Sequence, residues 1–242
     1  KEKPNGPSGK DLRAVNFDSR QNSRTTLQSS ASSRTVMSLL TDKRLSSCLN
    51  NLELNTLKTV EMIVDFRRNT PALPPLTIMN STVPTVESFR FLGTTISQDL
   101  KWDTHIDSII KKAQQRFYFL RQLRKFNLPQ ELLTHFYSAI IEPVLCTSIT
   151  VWFGSATKSD IRRLQRTVRT AERIIGAPLP TLQELYTSRV RKRALKITLD
   201  PSHPGHLLFD LLPPGQRYRA ATTRTARHKN SFFPQAIYLL NS

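Results

Sequence analysis

Nowhere in this sequence do two acidic residues stand side by side, although 18 occur among its 242 residues. Two-metal polymerases and nucleases need clustered carboxylates to hold ions about 3.5–4 Å apart, so the absence counts against a centre of that kind. Cysteine is nearly missing: Cys48 and Cys146 are the only two, far apart and without a Cys-x-x-Cys or a histidine cluster nearby. Neither a zinc site nor a disulfide framework is written here, and a reduced, intracellular setting is the expectation, nucleus and cytoplasm being unresolved. Glycine is limited to 7 residues, with no P-loop, Gly-x-Gly-x-x-Gly or Gly-x-Ser-x-Gly; no cofactor is expected. No apolar run approaches the roughly 18 residues of a membrane-spanning helix, and no signal-peptide core is found. The chain opens on Lys1 rather than Met and reads as a fragment of a longer frame.

Positive charge is what the sequence has. There are 36 Lys plus Arg, a net charge of +18, and the excess lies in the second half: 23 basic against 9 acidic residues over 101–242, and 13 against 9 before it. A field of that sign favours a polyanion, RNA or DNA first. The hydrophobic fraction, 38%, is low enough to imply that part of the length stays unpacked.

Residues 1–47, as in SRQNSRTTLQSSASSRT, are too polar to bury the surface that would offset ordering, and are read as a disordered leader. Residues 48–102 take on strand character: VEMIVDF (60–66), LTIM (76–79) and SFRFLGTTI (88–96), with Asn80-Ser81 as a turn, form an antiparallel meander. Residues 103–200 are helical. Thr104-x-x-Asp107 reads as a capping box opening a helix to about Phe126; Pro129 starts the next at a first-turn position, with Leu132, Leu133, Phe136, Ile140 and Ile141 inward and an end before Pro143; Val144 to Phe153 is a buried helix. Thr157-x-x-Asp160 and Thr181-x-x-Glu184 cap two more, Gly176 closing the first and Asp200-Pro201 the second. Residues 201–242 form a basic extension. The fold class is α+β: a small meander followed by a mostly helical, thumb-like domain.

In the helix after Thr157, Ile161, Leu164, Val168, Ala171 and Ile175 mark the inward face, and Arg162, Arg166, Arg169 and Arg173 form a second stripe placed about 100° round from it. Four guanidinium groups so spaced suit a phosphodiester backbone. Lys111, Lys112 and Arg116 are the next candidates. The competing reading is a solvated charged face. His105-Ile106-Asp107 has the His-x-Asp spacing of iron- and 2-oxoglutarate-dependent dioxygenases, but residues two apart on a helix diverge by about 200°. His203 and His206 are read as turn residues, and Trp102 and Trp152 as core aromatics.

The ordered motifs NTLKTVEM, VDFRR, SFRFLGTTIS, LKW, KKAQQRFYFLRQLRKF, KSDIRRLQRTVRTAERIIG, LPTLQELY, SHPGHLLFDLLPPGQRYR and SFFPQAI resemble the C-terminal palm and thumb of non-LTR (LINE-type) retrotransposon reverse transcriptases. That resemblance implies a thumb closing on a template-primer hybrid, a primer-grip turn at Phe91, Leu92 and Gly93, and a nucleotide-site lysine at Lys58. The family's catalytic aspartates have no counterpart in this chain, so the implied activity is non-catalytic binding of RNA or an RNA/DNA hybrid, with an intact reverse transcriptase as a conceivable partner and no membrane. The stretch from about Thr59 to Trp102 also resembles the N-terminal domain of an AlkB-type alkylated-DNA-repair homologue, which would imply dioxygenase and methyltransferase activities. A third reading is a pseudogene product without selected function.

Overall fold

The computed structural model describes residues 12–16, 26–29, 59–64, 74–78, 80–213 and 215–242. It divides into two compact units, residues 1–91 with 95–100, and residues 92–94 with 101–242. Lys58 lies outside the described residues, as does most of the leader. Within the leader, Leu12–Asn16 (β1) and Thr26–Ser29 (β2) are strands.

The first unit is a set of short antiparallel pairs rather than one continuous meander. Val60–Val64 (β3) pairs with β1, which pairs with β2 on its other edge. Thr77–Ile78 (β4) and Ser81–Thr82 (β5) close a tiny hairpin through Asn80, at φ +60°. Among the described residues of this unit, Met62, Val64, Leu76, Ile78 and Val83 are buried apolar ones. SFRFLGTTI is two strands, Ser88–Phe91 (β6) and Thr94–Ser97 (β7), not one. Leu92 and Gly93 both take positive φ, +45° and +84°, the backbone of a two-residue hairpin turn whose twist matches its strands.

In the helical unit, Asp103–Lys125 (α1) begins one residue after the buried Trp102 and has no side-chain cap. The expected box at Thr104 and Asp107 therefore does not form. Gln130–Phe136 (α2) is preceded by Pro129 at the N-cap, one position before the first turn. The chain then widens into a π-helical stretch, Tyr137–Ile141, and continues as Glu142–Leu145 (α3). Helix thus passes through Pro143 rather than ending before it: a proline ring collides with the carbonyl four residues back in an α-helix, and the wider π-turn just ahead makes room. Leu133, Tyr137 and Ile141 are buried, whereas Leu132 and Ile140 face solvent. A break at Ser148, φ +50°, separates α3 from Ile149–Trp152 (α4) and the 3-10 turn Phe153–Ser155, so 144–153 is not one helix. The two helical segments on either side bend by 43°. Among the described residues no single helix is long and apolar enough to cross a membrane.

Lys158–Ile175 (α5) and Leu182–Thr198 (α6) obey their sequence signals. Thr157 Oγ1 accepts from the Asp160 amide at 3.1 Å, and Gly176 ends α5 at φ +82°. Thr181 and Glu184 exchange both bonds of a capping box. The C-terminal stretch is folded in part: Leu211–Leu212 (β8) pairs with Arg217–Tyr218 (β9), and Ala226–Lys229 (α7) leads into Phe232–Asn241 (α8). Helix α8 buries Ala236 and Ile237 and meets α6, whose Arg193 guanidinium lies 5.0 Å from the Phe232 ring centre. Apolar burial of the order of 1.5–3 kcal/mol for each large side chain, at Trp152, Leu164, Val190 and their neighbours, drives this packing.

Candidate nucleic-acid interface

Helix α5 separates its polar residues by task. Its buried face is Asp160, Leu164, Thr167, Val168, Ala171 and Ile175; Ile161 is only half-buried. The centre of that face lies along Leu164 and Ala171, and Arg162 and Arg166 stand two residues to either side of Leu164, a rotation of about 200°. The stripe is therefore nearly opposite the core face, not 100° from it. Only neighbours such as Ile161 and Arg162 differ by 100°; taken whole, even the face of Ile161, Leu164, Val168, Ala171 and Ile175 lies about 150° from the stripe.

On one flank Arg163 pairs with Asp107 of α1 and, at 3.1 Å, with Asp160. On the other, Gln165 Oε1 accepts from the Leu182 amide at 3.4 Å and Glu172 Oε1 from the Leu179 amide at 3.1 Å, fastening the turn before α6. Arg162, Arg166, Arg169 and Arg173 are all exposed. Among the described residues, the first three show no side-chain hydrogen bond or ion pair; Arg173 reaches only its own helix, at the Arg169 carbonyl and Thr170 Oγ1, both 3.4 Å.

Helix α6 spends its arginines differently. Arg189 donates to the Cys146 carbonyl at 3.0 Å and to Glu142 at 3.4 Å; Arg193 donates to Thr150 Oγ1 at 3.1 Å; Arg191 donates to the Leu239 carbonyl at 3.3 Å. These guanidinium groups stitch helices together. The adjacent Cys146 thiol is buried, and burial pushes it up to about 11; burial likewise raises the Tyr137 phenol.

Helices α1 and α5 run side by side in the same direction. Asp107 meets Arg163 near both starts, and Gln130 Nε2, just past the end of α1, reaches the carbonyl of Ile175, the last residue of α5, at 3.5 Å. Lys111 is exposed, one turn beyond Asp107 and about 40° round from it, on the side of α1 opposite its buried face. Lys112 and Arg116 are half-buried and turned about 140° and 180° from Asp107. Of the three, only Lys111 is exposed and outward-facing like the stripe, because consecutive residues on a helix diverge by about 100°.

At the hairpin, Phe91 is half-buried and Leu92 is 70% exposed at positive φ. Thr94 Oγ1 donates to Ser148 Oγ at 2.9 Å, holding the turn against the α3–α4 break. His105 is buried between the indoles of Trp102 and Trp152, at ring-centre distances of 6.3 and 5.5 Å, while the Asp107 side chain is 58% exposed in its ion pair. The two side chains diverge and do not make a metal-binding pair. His203 Nδ1 accepts from the Gly205 amide at 2.9 Å, and His206 Nδ1 lies 3.1 Å from the Ile197 carbonyl, so both serve their turn. Trp152 donates to the Thr147 carbonyl at 2.7 Å and is fully buried.

The sequence reading missed Arg163, whose partner is 56 residues away, and Tyr118. Tyr118 is 60% exposed beside Phe119, at 57%. Seven residues separate it from Lys111, two helical turns on the same face, and that spacing was the available signal.

Residues 102–143 match the family model described as "Alkylated DNA repair protein alkB homolog 8, N-terminal". The match falls on α1, α2 and the π-helical turn, not on the 59–102 strand region where the AlkB resemblance was read; the two share Trp102 alone. No curated protein and no solved structure matches the chain, and the reverse-transcriptase resemblance receives no support from these comparisons.

Proposed function

We propose that the helical unit binds nucleic acid without catalysis, the α5 arginine stripe contacting the phosphate backbone of RNA or an RNA/DNA hybrid. One observation carries this reading: the polar residues flanking the stripe all have structural partners, while the four outward arginines hold none outside their own helix. A row of like charges repels itself unless an anion lies against it. Each phosphate contact contributes about 0.9 to the slope of log affinity against log salt. Replacing Arg162, Arg166, Arg169 and Arg173 by Gln lowers that slope by about 3.6 on this reading, from roughly a hundredfold loss of affinity between 50 and 200 mM salt. An unchanged slope would end it.

The family match favours a second reading, that 102–143 is related to the N-terminal part of an AlkB-type alkylation-repair protein. A protein that repairs alkylated DNA must hold a nucleic-acid backbone, so the two readings share a partner. The iron chemistry of that family does not fit the His-x-Asp of this segment, since His105 is buried and Asp107 is engaged by Arg163. Here the segment is an accessory one. Stoichiometric iron uptake abolished by Asp107→Asn would favour an enzyme instead.

A further inference from the structure

The exposed tyrosine of α1 lies level with the end of the arginine stripe. From Asp107 to Tyr118 is eleven residues, about 16 Å of rise and about 20° of net rotation; from Arg163 to Arg173 is ten residues, about 15 Å. Because the two helices run parallel from their Asp107–Arg163 tie, Tyr118 stands about 20° round α1 from Asp107, on its solvent side, at the height of Arg173. Thr170, seven residues after Arg163, is on the α1-facing side of α5, and Arg173 leans its guanidinium to within 3.4 Å of it. Tyr118 is 60% exposed, and Phe119 meets it edge to face at 5.4 Å and 80°, leaving a ring face open to solvent. An exposed aromatic beside a basic track is the pairing that proteins use to hold unpaired nucleotides: the ring stacks on a base while the cations follow the phosphates.

We infer that Tyr118 is a base-stacking platform, and that the α1–α5 face takes a single-stranded segment, its phosphates on Arg166, Arg169 and Arg173 and a base on Tyr118. This deepens the backbone-binding reading and rests on it. A duplex offers no free base face to a side chain lying along it, so the inference selects unpaired nucleotides over the paired hybrid at this position.

The test compares a single-stranded thymidine oligomer of about twelve nucleotides with an abasic oligomer of equal length and phosphate charge. The native chain should bind the abasic strand roughly five- to hundredfold more weakly. Tyr118→Ala should bind both strands equally, at the native protein's abasic affinity, with an unaltered salt slope, and Tyr118→Phe should restore the preference for bases. Tyr118→Ala binding both strands as the native chain does would overturn the inference. The salt slope of the four-Gln variant reports separately on the stripe. Loss of slope there with no effect at Tyr118 sinks the stacking site and leaves the backbone reading standing; an unchanged slope with no preference for bases sinks both.

Discussion

Asp107 and Arg163, 56 residues apart, form the ion pair that sets α1 against α5. Both side chains are partly solvated, at 58% and 43% exposure, so the pair locates the helices more than it stabilises them. It also takes from α5 the one arginine that faces α1, leaving the stripe, about 60–120° round from Arg163, without an ion-pair partner among the described residues.

A double-mutant cycle on Asp107→Asn and Arg163→Met should give a coupling of about 0.2–1 kcal/mol in urea unfolding, the range of exposed pairs. It should shrink at high salt. A coupling of several kcal/mol would mean that the pair is desolvated.

The Thr181–Glu184 box gives a pH signature. The Thr181 amide, donating to Glu184 Oε2 at 2.8 Å, and the Thr181 hydroxyl hold the Glu184 carboxyl below its ordinary 4.5. A depressed acid stabilises the folded state in full above its unfolded value and loses that contribution as pH falls through the folded value. The difference in urea midpoint between native chain and Glu184→Gln should therefore be present at neutral pH and close in acid well below 4.5. Thr181→Ala should cost about 1 kcal/mol at neutral pH.

At the hairpin turn, Leu92 pays for a left-handed backbone that asparagine adopts more readily. Leu92→Asn should raise stability by about 0.5–1 kcal/mol, since the exposed leucine gives up little burial. Gly93→Ala should lower it by about 1–2 kcal/mol at φ +84°. Urea midpoints at constant m-value check both.

Local signals were legible where the chain answers itself within four residues. Thr157 with Asp160, Gly176, and Thr181 with Glu184 behave as their spacing says. The same Thr-x-x-Asp spacing at Thr104 fails, because burial of Trp102 sets the helix start and Asp107 is drawn to Arg163. The passage of helix through Pro143 and the break at Ser148 were equally hidden, since both depend on what packs around them. The proposed binding face was half legible: the arginine spacing and its outward direction follow from the helical period, but not that Thr167 is buried and Ile161 only half-buried, which packing decides.

The sequence by itself determined the α+β class, the helical periods, two of the three proposed N-caps and the surplus of positive charge, because these rest on intervals of a few residues and on composition. Only the tertiary structure decided which arginines are free. Arg163 and Arg189 find acceptors 56 and 43 residues away, while Arg162, Arg166 and Arg169 face outward with none among the described residues. A guanidinium group is the same in every helix; what surrounds it after packing makes it a brace or an exposed, unpaired charge.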